Sequence, residues 1–379
     1  KSISVSAPLS LYHFSRVEGH SLDFGVFADD LFNKRFNSSL KLSYGFSDKK
    51  FKQDFNAVYL LGDYRTWKIK LNAFNKLKVL FEDSDNYGEL LSTLVTLISK
   101  NEFRDYYYSK GFAFAIEGEL FPVLKVRTGF SNKKDNSAFV NTNYSFFNRD
   151  KEYRSNPLIF PSTINAVNIG FDIDFRDYIE DGYFRHRTSL GRSFVLFSGD
   201  IHYSDKNILG SDLNFKVYEF KSRVFIRTIK SASLNLNIYT RYTDGTVAYQ
   251  DLYSLPGNID AVFNSETFRT LRLNEIAGDK IFTLNLTHNF RDELFRLFNV
   301  PVIKNWEVML SLIFNMAVSD LNESTQQISP HQIKTFKHPF YELGFGIGQG
   351  IIPFKIEFMW KLNYRDGNNF RIGLNMPLL

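Results

Sequence analysis

The chain has 379 residues, 44% of them hydrophobic, and a formal net charge of +5. It contains no cysteine, which excludes disulfides, thiolate metal sites and a catalytic thiol. No apolar run reaches the roughly 18 residues that a membrane-crossing helix needs; the nearest stretch, Leu90 to Ile98, is short and carries Ser and Thr.

Aromatic residues make up 17% of the chain, with 40 Phe and 20 Tyr against only 10 Pro, and the mean hydropathy is −0.24. That combination suits a barrel wall, which needs an apolar residue only at every second position and places aromatics where it meets the bilayer interfaces. Lysines and arginines are spread singly, with no basic stripe or aromatic platform, so nothing points to nucleic acid.

Taken in chain order, alternating apolar and polar residues predict strands beginning near His20, Phe36, Lys52, Trp67, Tyr107, Val123, Ser137, Thr163 and Arg192. Further strands are expected near Ser211, Ser233, Lys280, Ile303, Pro339, Pro353 and Asn369. The clearest runs from Ile281 to Phe290, with Phe282, Leu284, Leu286, His288 and Phe290 on one face and Thr283, Asn285, Thr287 and Asn289 on the other. A second alternates from Phe354 to Arg365 through Ile356, Phe358 and Trp360. Runs of about ten residues match a tilted bilayer span better than a soluble strand of about six. Polar faces such as Asn168, Asp172, Asp174 and Arg176, or Asn235, Asn237 and Arg241, would line a wet lumen. The expected fold is all-β: an antiparallel transmembrane barrel of about sixteen strands, an even number that leaves both chain ends on one side.

Between the strands, short turns are expected at Phe46–Lys50, Ser131–Asp135 and Arg365–Asn369, and long loops near 77–105, 149–162, 177–191, 245–278 and 321–338. Tyr87 to Lys100 has helical composition and is expected as a short helix within a loop that packs as a cap. Gly344, Gly346, Gly348 and Gly350 alternate with Phe345, Ile347 and Ile351 and have no helix after them. They predict a strand whose lumenal face lacks side chains, so that another segment can approach closely. The chain is expected to form one domain over residues 1–379, with an export signal and an N-terminal periplasmic domain preceding Lys1.

Chemistry is sparsely marked. There is no Gly-x-Ser-x-Gly elbow and no His-Glu-x-x-His spacing. His186, His331 and His338 fall in expected loops and read as solvated residues rather than ligands. No catalytic residue, metal or cofactor is expected.

One loop carries more information. Its end reads Ser265-Glu-Thr-Phe-Arg-Thr-Leu-Arg-Leu-Asn-Glu-Ile-Ala-Gly-Asp279. It resembles the loop that folds into the lumen in the bacterial outer-membrane insertase superfamily, the BamA and TamA type. Phe268, Arg269 and Gly278 match that pattern, while Thr270 stands where the family has Gly and Leu271 where it has an aromatic. Ser15-Arg-Val-Glu-Gly19 is similar to a segment that these barrels carry just before their first strand. Ser311–Ala317 resembles the strand after the loop, with Asn315 and Ala317 replacing an Asp-x-Gly pattern. Phe370–Leu379 is similar to the closing strand, ending in Leu instead of an aromatic. Tyr44–Lys50 and Leu255-Pro-Gly-Asn258 look like a Bacteroidota family of unknown function, in which a carboxypeptidase-regulatory-like domain precedes an insertase-like barrel.

The resemblance implies a bacterial outer-membrane protein, not an enzyme, that assists assembly or translocation of outer-membrane or surface proteins. Arg269 would anchor the inward loop to the wall near Asn315 and Glu342. The first strand, with Leu22, Phe24 and Val26, and the last, with Phe370, Ile372 and Leu374, would meet in a lateral seam able to template a client strand. Alternatives are a scaffold barrel within a larger complex, a passive porin, and a barrel lipase or protease without a marked nucleophile. Expected partners are outer-membrane lipid and lipopolysaccharide, the latter touched by loop residues such as Lys133, Lys134, Arg185 and Arg187, together with client proteins or other complex subunits.

Overall fold

A computed structural model describes residues 2–85, 87–182, 184–189, 191–301, 306–350, 352 and 354–375. Its main sheet contains 18 hydrogen-bonded segments. Two are pieces of one broken strand and one is the short inward segment Val262–Phe263, so sixteen wall strands remain among the described residues.

The strands follow one another as an antiparallel meander. β1 comes in two pieces, Ser2–Val5 and Tyr12–Ser15, and β2 is Gly19–Asp30. Then come β3 (Phe36–Gly45), β4 (Lys50–Leu61), β5 (Trp67–Val79), β6 (Tyr106–Phe121), β7 (Leu124–Ser137) and β8 (Ser162–Asp174). β9 (Phe194–Ser204), β10 (Phe215–Arg227), β11 (Ser233–Gly245) and β12 (Lys280–Arg291) continue the wall. β13 (Val308–Asp320), β14 (Phe340–Gln349), β15 (Lys355–Lys361) and β16 (Phe370–Asn375) complete it. Each pairs with the next, from β1 with β2 through to β15 with β16. Among the described residues no ladder joins β1 to β16.

The wall is inside-out relative to a soluble sheet. On β12, Thr283 and Asn285 are buried while Phe282 and Leu284 remain half-exposed. On β16 and β2, Phe370, Ile372, Leu22 and Phe24 point outward and are exposed. The lumenal faces carry charge pairs instead: Arg127 with Asp172 and Asp200, Lys76 with Asp54, and Arg241 with Glu219 at 2.8 Å. Apolar groups outside and hydrogen-bonded polar groups inside is the order that hydrocarbon selects. No helix of the described residues is long and apolar enough to cross a membrane.

Connections 80–105, 138–161, 246–279 and 321–339 gather at one end, opposite the start of β1 and the finish of β16. The first carries helix α1, Glu89–Ser99, within the segment expected to be helical. A cavity of about 530 Å³ opens toward the other end, between the hairpin Asp177–Thr188 and the inward loop, lined among others by Arg185, Glu119 and Glu266.

Several expectations need correction. No strand begins at Ser137: it ends β7, and residues 138–161 wrap over β1, with Asn141 N–H donating to Arg16 O at 3.0 Å. A strand at the N-terminus takes its place in the count. It is hard to see in the sequence because a turn with Pro8 splits it into two four-residue pieces. Ser15–Gly19 is therefore the hairpin between the first two strands, not a lead-in to the first. Ser131–Asp135 is no turn but part of β7. Lys133 and Asp135 face the lumen, where Lys133 pairs with Asp251 and Asp135, so buried ionic partners override the local turn preference. Lys133 and Lys134 thus do not lie in a loop, and Arg185 and Arg187 sit on the hairpin at the end where β1 starts and β16 finishes. β15 stops at Lys361, since Tyr364 turns the chain at φ 51°. The expected starts at Ile303 and Pro353, and Met376–Leu379 of the closing strand, lie outside the described residues.

Candidate functional site

The inward loop returns through the lumen between β11 and β12 and is tied to the wall by charge. Phe268 is fully buried among Leu271, Ile276, Phe336 and Phe340. This places the next residues against β13, β14 and β15. Glu342 of β14 accepts from Arg269 N at 2.8 Å, Thr270 N at 2.9 Å, the Thr270 hydroxyl, and Asn315 Nδ2 at 2.6 Å. Four donors on one carboxylate, itself fully buried, satisfy a group that would be costly if left unpaired.

The Arg269 guanidinium does not reach Glu342. Its Nε donates to Glu357 Oε2 of β15 at 2.9 Å, with both side chains under 5% exposed. Asn375 of β16 holds the second Glu357 oxygen at 2.8 Å, and Arg371 donates to Arg269 O at 3.1 Å. The structure therefore brings Phe268, Arg269, Asn315 and Glu342 together, and adds Glu357, Thr270, Asn375 and Arg371. Where the resembled motif has an acid on the strand corresponding to β13, this chain has Asn315, and the acids stand on β14 and β15. Thr270 in the glycine position adds a hydroxyl bond. Gly278 lies apart, in a short ladder with Tyr253, where an added Cβ would come within 2.6 Å of Asp320 O.

The glycine stripe of β14 is bare as expected. Met359 lies over Gly344, and Met359, Ile313 and Phe263 form a buried cluster. Phe263 covers Gly373 of β16 so closely that an added Cβ would sit 2.7 Å from its ring. Here the loop also pairs with the wall. Val262–Phe263 runs parallel to Leu374–Asn375, and Leu374 N–H donates to Ala261 O at 2.8 Å. The open edge of the last strand is thus met by the chain's own loop.

The edge of the first strand lies elsewhere than expected. Leu22 and Val26 of β2 are register partners of Tyr12 and Val5, so β2 has neighbours on both sides and the free edge belongs to β1. Phe370, Ile372 and Leu374 do lie on the last strand, facing outward. At the β1 edge, Phe14 N–H donates to the Thr93 hydroxyl of α1 at 3.2 Å, and Phe14 packs with Leu97 and Tyr153. Tyr87, just before α1, donates to Val262 O at 2.9 Å and accepts from Ile259 N at 2.7 Å. The gap between β1 and β16 is spanned by this chain of contacts: α1, Tyr87 and the segment 259–263.

Arg16 fixes the cap above that gap. Fully buried, it binds Glu102 at 3.0 Å, Asp105, Arg104 O at 2.6 Å and Asn156 at 3.1 Å. Burial holds the Glu102 carboxyl above the usual carboxylate range, against the opposing pull of Arg16. Glu18 of the same hairpin pairs with Lys52 at 2.6 Å and His13 at 2.6 Å. His331 rests on Tyr249, and His338 N–H donates to the Tyr364 hydroxyl. No group of three metal-ligating side chains occurs among the described residues.

A family described as "Family of unknown function (DUF5686) C-terminal domain" matches residues 1–324. No curated protein matches the sequence. Among solved structures, BamA from Haemophilus ducreyi, lacking POTRA domains 1–3, is similar at 13% identity and a TM-score of 0.53, over 98% of this chain and 68% of that one. CdiB from Acinetobacter baumannii is similar at 10% identity and a TM-score of 0.48, over 94% of this chain and 56% of that one. The chain therefore spans little more than half the length of CdiB. The likeness to BamA shows a shared barrel fold.

Proposed function

We propose, for a chain that belongs to the DUF5686 C-terminal domain family, a role in assembling or translocating outer-membrane or surface proteins at the β1–β16 seam. In this reading the protein is a bacterial outer-membrane barrel and not an enzyme, and the end with the long connections faces outward. A Bacteroidota source and a preceding carboxypeptidase-regulatory-like domain belong to the same proposal, as do contacts with outer-membrane lipid and lipopolysaccharide.

The observation that carries it is the seam. Among the described residues, two strands of one wall leave their outer edges unpaired with each other, and each edge is met by a small element of the same chain. An open strand edge offers a ladder of donors and acceptors to an incoming strand, which is the physical basis of β-augmentation. A two-residue parallel pairing is a small barrier for such a strand to displace. Phe268, Arg269, Asn315, Glu342 and Glu357 would hold the rest of the loop in place while Val262–Phe263 yields.

The test uses the natural absence of cysteine. Val262→Cys and Leu374→Cys, register partners on adjacent strands, should form a disulfide that locks the loop onto β16. Depletion of the protein should lower the levels of unrelated outer-membrane proteins, and the locked form should fail to rescue until reduced. Unchanged levels on depletion, or full rescue by the locked form, reject this reading.

The covered edges also favour a second reading, a scaffold subunit that keeps its seam shut. Pro8 and the break in β1 are devices that discourage edge pairing. A scaffold should co-purify in a stable stoichiometric complex and function normally when locked. The porin reading is weakened by the inward loop and the cap, which occupy the lumen at the long-loop end.

A further inference from the structure

Helix α1 is built the wrong way round for water. Its buried side carries Ser92, Thr93 and Thr96, together with Leu97, while Leu90, Leu94 and Ile98 are 54%, 45% and 46% exposed. These three recur at i, i+4 and i+8 and so form one apolar stripe, with Leu91 and Val95 half-exposed beside it. A helix on an aqueous cap would bury that stripe and turn its hydroxyls outward.

One hydroxyl of the polar side reaches the β1 edge, and the carbonyls at the end of the helix are held by the cap. Thr93 accepts from Phe14 N of β1, and Tyr153 and Ser145 donate to Thr96 O and Leu97 O, at 3.0 and 2.7 Å. The helix therefore satisfies the β1 edge with one face and presents leucines with the other. This is the polarity of the wall strands, where Thr283 and Asn285 are buried and Ile372 and Phe24 exposed. Exposed aromatics continue the stripe on the adjoining connection: Tyr144, Phe146 and Phe147, with Phe146 N–H bonded to Leu97 O at 2.9 Å. An aromatic band next to an apolar stripe marks the bilayer interface.

We propose that α1 is a wall element of the barrel, its Leu90, Leu94 and Ile98 side lying in the bilayer boundary at the seam while its Ser92, Thr93 and Thr96 side seals β1. The occupant of the apolar face is lipid. The inference rests on the membrane reading above and deepens it: the seam is closed on the β1 side by a lipid-facing helix that a client strand would have to lift.

The experiment places single cysteines at Leu94, Ile98, Ile372 and Glu152 of the full chain, labels each with a small environment-sensitive fluorophore, and reconstitutes the protein in phosphatidylcholine vesicles. Ile372 stands for the wall and Glu152 for an exposed connection. The expected result is that nitroxide-labelled phosphatidylcholine dims the Leu94→Cys and Ile98→Cys probes about twofold or more, as it does Ile372→Cys, while aqueous iodide dims only Glu152→Cys. Iodide quenching at positions 94 and 98, or shielding of both from lipid and iodide alike, overturns the proposal; shielding would indicate a protein partner on that face. If the Ile372→Cys probe also ignores the nitroxide lipid, the membrane reading itself falls and takes this proposal with it.

Discussion

Replacing Arg269 by Ala should release the inward loop. Arg269 and Glu357 face each other at 2.9 Å with side chains 4% and 3% exposed, so neither charge has water to fall back on. Breaking a pair buried to this degree costs about 3–5 kcal/mol, because the remaining carboxylate stays desolvated. That raises the population of undocked loop by about 10²- to 4 × 10³-fold. The damage is confined to the loop's attachment, since β14 and β15 keep their own register bonds. The assay is limited proteolysis of the detergent-folded protein, with cleavage scored between residues 255 and 279 and barrel integrity followed by heat-modifiable gel mobility. Arg269→Ala should be cut much faster there, with the barrel band unchanged. Arg269→Met combined with Glu357→Gln removes both charges and leaves a side chain that can still accept from Asn375, so it should be cut more slowly than Arg269→Ala. Equal cleavage of wild type and Arg269→Ala would refute the claim that this ion pair holds the loop.

Glu342→Gln should also loosen the loop, because an amide turns N–H groups toward Arg269 N, Thr270 N or Asn315 Nδ2. Each unsatisfied donor costs about 1–3 kcal/mol, and the same proteolysis reads the effect. Gly373→Ala should drive Phe263 from β16 and speed hydrogen exchange at the Leu374 amide; Gly88→Ala, with open space around it, should not. The cap should respond to pH through Glu102. Its folded-state carboxyl titrates above the unfolded value, so the folded cap binds the proton more tightly. Its stability contribution should then increase as pH falls from neutral toward the ordinary carboxylate range, and Glu102→Gln should remove that component of protease resistance in residues 80–105. A pH response identical in Glu102→Gln and wild type would argue against it.

Period-two patterning was enough to identify a barrel and its two faces, because a tilted strand between hydrocarbon and a polar lumen alternates residue by residue. Phe268 and Arg269 were marked as the place where a loop meets the wall by their resemblance to the inward loop of insertase-type barrels, not by alternation. The bare face of β14 could be read from the spaced glycines Gly344, Gly346 and Gly348. The signal failed wherever a competing interaction lay far along the chain. Ser131–Asp135 has turn composition, yet Asp251 in a distant loop keeps it extended. Glu357 lies 88 residues from Arg269, and nothing local distinguishes it from the other charged residues on its face.

Two features were decided by the tertiary structure alone. Which strand is first depended on two short pieces that β2 recruits as a partner, since neither is long enough to declare itself. Which way α1 faces depended on the β1 edge, whose unpaired backbone takes the hydroxyl side of the helix and leaves the leucines outward. Alternation is a property of neighbouring residues and a solvent boundary, so it is written into the chain. The identity of an edge and of the element that covers it is a property of the assembled wall, and exists only once its strands have fixed where that wall begins and ends.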